Sequence, residues 1–328
     1  MMRTFTLILG LVVWGFAPVF GQKAFQNTMF PYTQFAYNPA AAGTPFLGML
    51  EGPNVMLFYR NQYTNIEGAP QIAGGSFSMP IGNGEAGSFG VNFFNDQIGP
   101  FSNIMADVAY SFGLEVGATG KLSFGAGFGF RQVKLDPSQW VYNQDGGPDP
   151  VLPLAPTSGI VPVLNAGLHY QSDNLFVGIA GQNLTEPSIE SLLGAENLGD
   201  DSNVPRTFSL TGGYRFDLGV EGRSSLTPAV MLQYDLVNIP QVSASVYWNY
   251  APLVVGLNQR LVNSESTGLM VGAMLNDRLF AGYAFDYIWN SLNSAGDVSS
   301  HELVVSYTFT TSTSNPRKRK DINPNTND

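Results

Sequence analysis

The sequence predicts an all-β protein, a transmembrane antiparallel β-barrel of the outer-membrane kind, and three observations predict it. The first is composition. Only 12% of the 328 residues are charged, against about 25% in soluble domains, yet mean hydropathy is only +0.02. A soluble chain of this size needs more charge to cover its surface, and a helical membrane protein would be far more apolar. Apolar residues facing lipid, alternating with small or polar residues facing a lumen, reconcile the two. The second observation is period-two alternation in segments of about ten residues between Asn54 and Phe309. The third is a regular alternation of short and long connections between those segments.

The chain opens on an export signal. Arg3 supplies a positive start, Phe5 to Phe20 are mainly apolar, and Val19 and Gly21 suit signal peptidase, so residues 1–21 are read as a signal peptide and Gln22 as the first mature residue. After Gln22 no run approaches the roughly 18 apolar residues of a spanning helix, so any membrane crossing must use strands.

Residues 22–53 hold Phe25, Phe30, Pro31, Tyr32, Phe35, Tyr37 and Pro39 without a clean period. This segment should be irregular and packed against something, either in the lumen as a plug or at the periplasmic rim.

Residues 54–309 form the barrel, with about fourteen strands. They start near Asn54, Gln71, Ala86, Phe101, Lys121, Pro162, Asn174, Arg206, Ser224, Gln241, Leu253, Thr267, Arg278 and Ser300. In Lys121–Arg131 one face carries Leu122, Phe124, Ala126, Phe128 and Phe130, and the other Ser123, Gly125, Gly127, Gly129 and Arg131. In Thr207–Phe216, Phe208, Leu210, Tyr214 and Phe216 oppose Thr207, Ser209, Thr211 and Arg215. In Gln241–Tyr250, Val242, Ala244, Val246, Trp248 and Tyr250 oppose Ser243, Ser245 and Asn249. Leu279–Tyr287 alternates less cleanly, with Gly282 and Asp286 opposite the aromatic face. Connections after even-numbered strands are short, such as Ser172–Asp173, Ala251–Pro252 and Asn276–Asp277, whereas the odd ones include Val133–Val161, Asn183–Pro205 and Ile288–Ser299. Barrels put short turns in the periplasm and long loops outside, so both barrel ends should be periplasmic. A soluble β-sandwich would explain alternation, but not so many strands with aromatic outer faces and so little charge. Residues 310–328 are polar, with Pro316 and Pro324, and read as a disordered periplasmic tail.

Chemistry is sparse. A net charge of −10 and a pI near 4.6 argue against nucleic acid, which needs a basic surface; the only dense basic cluster is Arg317–Lys320. The absence of cysteine removes disulfides, thiolate metal sites and a cysteine nucleophile. No nucleophile elbow, HExxH, P-loop or EF-hand spacing occurs. Gly125, Gly127 and Gly129 have strand spacing and lack a following helix, so small lumen-facing residues explain them better than a phosphate cradle. His169 and His301 fall at opposite ends of the barrel, too far apart to share a site, and each reads as a lone interfacial histidine. Loop carboxylates (Asp136, Asp145 and Asp149, then Glu186, Glu190, Glu196, Asp200 and Asp201) could offer oxygen ligands to calcium, but nothing fixes a coordination geometry and solvated loops are the simpler account. Asp286, facing inward, has Arg131 or Arg215 as candidate partners. No cofactor is implied.

Particular words in the sequence resemble the PorP/SprF family. They are Met29-Phe30, Tyr37-Asn38-Pro39-Ala40 and Ala42-Gly43, then Tyr59-Arg60-Asn61-Gln62, Gly68-Ala69-Pro70 and Asn95-Asp96-Gln97-Ile98-Gly99. They continue through Asp107-Val108-Ala109-Tyr110, Leu122-Ser123-Phe124-Gly125, Gln182-Asn183-Leu184, Gly282-Tyr283 with Asp286, and His301-Glu302-Leu303. The resemblance implies an outer-membrane barrel of the type IX secretion system, without catalysis, that supports export and surface attachment of large secreted proteins, often gliding adhesins. The partners it implies are the C-terminal domain of such a substrate, or periplasmic and lipoprotein components of the machine, besides outer-membrane lipid. Candidate partner-binding residues are Phe30, Tyr37, Asn38, Pro39, Arg60, Asn95, Asp96, Trp140 and Tyr142. The aromatic ones among them lie in irregular segments rather than on lipid-facing strands. A channel for small or hydrophobic solutes is the alternative; it requires an open lumen.

Overall fold

The computed structural model describes residues 27–46, 52–84, 86–139, 155–188, 203–218, 224–236, 240–261, 266–289 and 298–309. Residues 1–21, expected to be a signal peptide, the expected tail 310–328, and Trp140 and Tyr142 lie outside them, as do Asp145, Asp149, Glu190, Glu196, Asp200 and Asp201.

Fourteen antiparallel strands close into a barrel. They are β1 (Asn54–Thr64), β2 (Gln71–Pro80), β3 (Ser88–Ile98), β4 (Phe101–Val116), β5 (Gly120–Leu135), β6 (Thr157–Gln171) and β7 (Leu175–Gln182). Then come β8 (Thr207–Tyr214), β9 (Ser224–Tyr234), β10 (Gln241–Tyr250), β11 (Leu253–Arg260), β12 (Ser266–Met274), β13 (Leu279–Ile288) and β14 (Ser299–Thr308). A further segment, Phe216–Leu218, follows β8 after Arg215 and pairs with the same neighbour, so it continues the β8 wall. Every strand pairs with its sequence neighbours, and the ring closes where β14 pairs with β1, from Asn54↔Thr308 to Asn61↔His301 and beyond. Closure leaves no sheet edge running the length of the wall, which is what lets strands stand in lipid. Among the described residues no helix is long and apolar enough to cross a membrane.

The expected faces are the observed ones. Phe124, Phe128 and Phe130 point outward at 45–52% exposure while Ser123 is buried. Phe208, Leu210, Tyr214 and Phe216 are exposed, and Thr207, Ser209 and Thr211 buried. Trp248 and Tyr250 also point out. The sixth strand begins earlier than expected, at Thr157, and the fifth runs on to Leu135, because the two pair without interruption from Lys121↔Gln171 to Leu135↔Thr157. Polar Thr157 and Ser158 beside Gly159 look like loop in isolation; cross-strand pairing makes them wall.

Residues 27–46 enter at the end that carries Asn54 and Thr308 and fold inside the barrel. They form three single-turn 3-10 helices, Phe30–Tyr32, Gln34–Ala36 and Pro39–Ala41. Irregular backbone at membrane depth is tolerated only where protein surrounds it, and Phe30 and Ala40 here have no exposed surface at all.

Candidate functional site

The inner segment is held on two sides by different chemistry. Against β3–β8 the wall is thinned by glycine. A Cβ on Gly125 would lie 2.1 Å from the Ala40 nitrogen, one on Gly167 would lie 2.1 Å from Asn38 Oδ1, and one on Gly90 would enter the Phe35 ring. The close approach lets wall polar groups reach the segment's backbone. Asn92 Nδ2 donates to Phe35 O at 3.3 Å, Gln182 Nε2 to Ala36 O at 3.1 Å, Ser111 Oγ to Ala40 O at 3.0 Å and Gln171 Nε2 to Pro45 O at 2.9 Å. In return Asn38 Nδ2 donates to Leu168 O at 2.9 Å, while its Oδ1 accepts from Ala40 N and so caps the third turn. Gly125, with Gly90 and Gly167 on other strands, therefore seats a neighbouring segment of the same chain, whereas Gly127 and Gly129 face wall residues.

Against β1 and β10–β14 the seat is aromatic and ionic. Tyr32 stacks on Phe280, with centroids 4.6 Å apart and planes at 4°, and meets Phe46 and the edge of Tyr247. Full burial of such a side chain is worth about 1.5–3 kcal/mol, so Phe30, Phe35, Tyr37 and Phe46 together oppose the entropy of ordering the segment. Deeper in, four charged side chains from four strands converge. Arg60 on β1 meets Glu302 on β14 at 2.8 Å and Asp286 on β13 at 2.6 Å, and Arg260 on β11 meets Asp286 at 3.0 Å. Their residues are 0–4% exposed. Thr28 and Met29 sit on this cluster. The two successive N–H groups donate to Glu302 Oε2 and Oε1, each at 2.8 Å, and Thr28 Oγ1 donates to Asp286 Oδ1 at 2.7 Å. Arg260 Nη2 donates to Thr28 Oγ1 at 2.9 Å, and the Tyr247 hydroxyl to Thr28 O at 2.8 Å.

Beyond the inner segment, toward the opposite end, lies a cavity of about 330 Å³ lined by Gln62, Asp96, Asp107, Arg131, Asn165 and Gln182 among others. Asp107 accepts from Asn92 Nδ2 at 3.2 Å. Among the described residues no group of three metal-ligating side chains occurs.

The sequence-derived candidates are thus separated. Phe30, Tyr37, Asn38, Pro39 and Arg60 are buried in the barrel interior, where they pack or bond to the chain itself. Asn95 and Asp96 are strand neighbours and point to opposite faces. Asn95 faces out and accepts from Ser102 Oγ at 3.0 Å, while Asp96 faces the cavity. Two expectations are corrected. Asp286 pairs with Arg60 and Arg260, not with Arg131 or Arg215; Arg215 binds Asp217 instead. His169 is not interfacial but 1% exposed inside the lumen, 3.4 Å from Gln171 Oε1. His301 does face outward, with Nδ1 2.6 Å from the Tyr283 hydroxyl. In the loops, Glu186 pairs with Arg206 at 2.9 Å and Asp136 accepts from Ser138.

Sequence reading singled out neither Thr28 nor Tyr247, and it attached no role to Arg260. Nothing in an isolated threonine signals that both its backbone N–H and its hydroxyl bond to the barrel. Glu302 and Asp286 stood within the words of the family resemblance, and alternation also placed Asp286 on an inward face, but neither signal named their partners.

The chain is similar to several solved structures. The Acinetobacter baumannii outer membrane protein Omp33 is 9% identical, with 79% of this chain and 98% of that one covered at a TM-score of 0.46. The CymD monoaromatic hydrocarbon channel is 14% identical, with 85% and 93% covered at 0.46, and a Pseudomonas aeruginosa FadL homologue is 13% identical, with 83% and 93% covered at 0.45. No curated protein sequence gave a significant match. Residues 19–307 match the family described as type IX secretion system membrane protein PorP/SprF. The match spans the inner segment and nearly the whole barrel, and the chain belongs to that family.

Proposed function

We propose that this barrel is a non-enzymatic protein-binding component of the type IX system. It engages a secreted substrate or adhesin through that partner's C-terminal domain, or periplasmic and lipoprotein components of the machine, and so supports export, surface attachment and gliding. The observation that carries this reading is the lumen filled from within by residues 27–46, bonded to the wall from Asn92 round to Glu302. A lumen occupied by the chain's own residues favours work at the rims and surface over diffusion through an open pore. Catalysis finds no support, because His169 is sealed in the lumen while His301 faces out.

In this reading residues 1–21 are removed on export, the barrel ends at Asn54 and Thr308 face the periplasm, and the opposite rim meets the partner. Asn95 and Asp96 lie toward that rim on β3, and Trp140 and Tyr142 come after the end of β5 in the sequence. Aromatic anchors in such positions act as hot spots of about 2 kcal/mol or more. The second reading, a solute channel, is favoured by the cavity of about 330 Å³ beyond the inner segment.

Deleting the gene tests both. Loss of surface display of large secreted proteins, together with co-purification of the barrel with a substrate C-terminal domain or machine components, is the expected result. A barrel that purifies alone, whose loss leaves secretion intact and which gives large steady conductance in planar bilayers, replaces this reading with the channel.

A further inference from the structure

The ring closes at one seam, where β14 meets β1; the strand ends hold it at the chain-end level, and deeper in the lumen the inner segment sits on the charged cluster that bridges it. At the chain-end level, Phe309 N donates to Pro53 O at 2.7 Å, and Asn54 Nδ2 donates to Ser306 Oγ at 2.8 Å and to Thr308 Oγ1 at 3.0 Å. Deeper in the lumen, Arg60 and Glu302 are direct partners across the seam. Glu302 binds the Arg60 guanidinium with Oε2 and the Thr28 and Met29 N–H groups with both oxygens. Thr28 Oγ1 is shared between Asp286 and Arg260, and Arg60 Nη1 reaches it at 3.4 Å. One residue of the inner segment thereby touches β1, β10, β11, β13 and β14.

Residues 27–46 contain no Asp, Glu, Lys or Arg, so the segment adds no charge. The cluster balances itself, two guanidiniums against two carboxylates, and it does so only when β1 and β14 are paired. With the seam open, Glu302 would lose its guanidinium, and a buried unpaired charge is strongly unfavourable.

We propose that Thr28 and Met29 form a clasp for barrel closure: the segment docks on a site that exists only once the first and last strands have met, and its docking holds them together. Thermodynamic linkage makes the relation reciprocal. A segment that binds only the closed ring stabilises the ring by the free energy of its own binding. The inner segment is then a late-docking element of assembly as well as a filler of the lumen. This rests on seam geometry and stands independently of the secretion partner.

The absence of cysteine permits a clean test in the full-length, detergent-folded barrel. Thr28→Val removes the hydroxyl and keeps all four charges; Tyr32→Ala removes lumen packing and keeps the clasp. Each is combined with an oxidised cysteine pair across the seam (Leu57→Cys with Val305→Cys) or across a distant ladder (Phe128→Cys with Leu164→Cys), positions that face each other in register. Heat modifiability on gels reads the unfolding midpoint. The expected result is that Thr28→Val lowers the midpoint by several degrees, that the seam crosslink abolishes the loss and the β5–β6 crosslink does not, and that Tyr32→Ala, which weakens the same docking, follows the same pattern. Equal rescue by both crosslinks, rescue by neither, or no loss in Thr28→Val overturns the clasp. Glu302→Gln provides a second variant with the same expected pattern.

Discussion

Gly125 and Ala40 touch: the backbone nitrogen of Ala40 lies where a side chain on residue 125 would begin, 2.1 Å from an ideal Cβ. A wall residue and a residue of the inner segment have thus given up the space between them, and both the strand and the turn depend on it.

Gly125→Val should therefore unseat the Pro39–Ala41 turn. Overpacking of a well-filled interior costs about 1–3 kcal/mol, and here the obstacle is backbone, which yields least. Gly127 is the control, because an added Cβ there meets nothing closer than 3.5 Å. Limited proteolysis should cut the N-terminal segment in Gly125→Val and spare it in Gly127→Ala. Equal protection in both would refute the role of Gly125.

Arg60→Ala leaves Glu302 with no guanidinium within bonding distance and Asp286 with Arg260 alone. Breaking a buried ion pair by deleting one partner costs about 3–5 kcal/mol. The expected outcome is a large fall in the fraction of folded barrel recovered from membranes. Arg60→Ala combined with Glu302→Gln should recover part of it, since the stranded charge is gone. A double variant no better than the single one would contradict this.

Topology is tested by labelling intact cells with an impermeant thiol reagent. Ser138→Cys, beyond β5, should react, and Asn276→Cys, in the short turn between β12 and β13, should not. The reverse pattern would turn the barrel upside down in the membrane. Ser191→Cys should label like Ser138→Cys.

The mature protein purified from outer membranes should begin at Gln22. N-terminal sequencing checks it, and a chain that retains Trp14 would overturn the reading of residues 1–21 as a removable signal.

What the sequence determined by itself is the wall. Residues such as Phe124, Phe128 and Phe130 reveal their face because a strand's side chains alternate with a period of two, and lipid on one side and a lumen on the other demand opposite chemistry. That logic is local, so it survives without coordinates, and it located the strand starts within a residue or two except at Thr157, where the decisive partner is Leu135 on another strand. What only the tertiary structure decided is which inward residues meet. Alternation says that Asp286 faces the lumen; it does not say that Arg60, on a strand 226 positions away, is its partner at 2.6 Å, because that depends on how the ring closes. For the same reason His169 reads as an interface residue until the inner segment is in place, and Thr28 carries no signal at all. Face is a property of a strand, whereas partnership across a closed lumen is a property of the whole ring and of the segment folded into it.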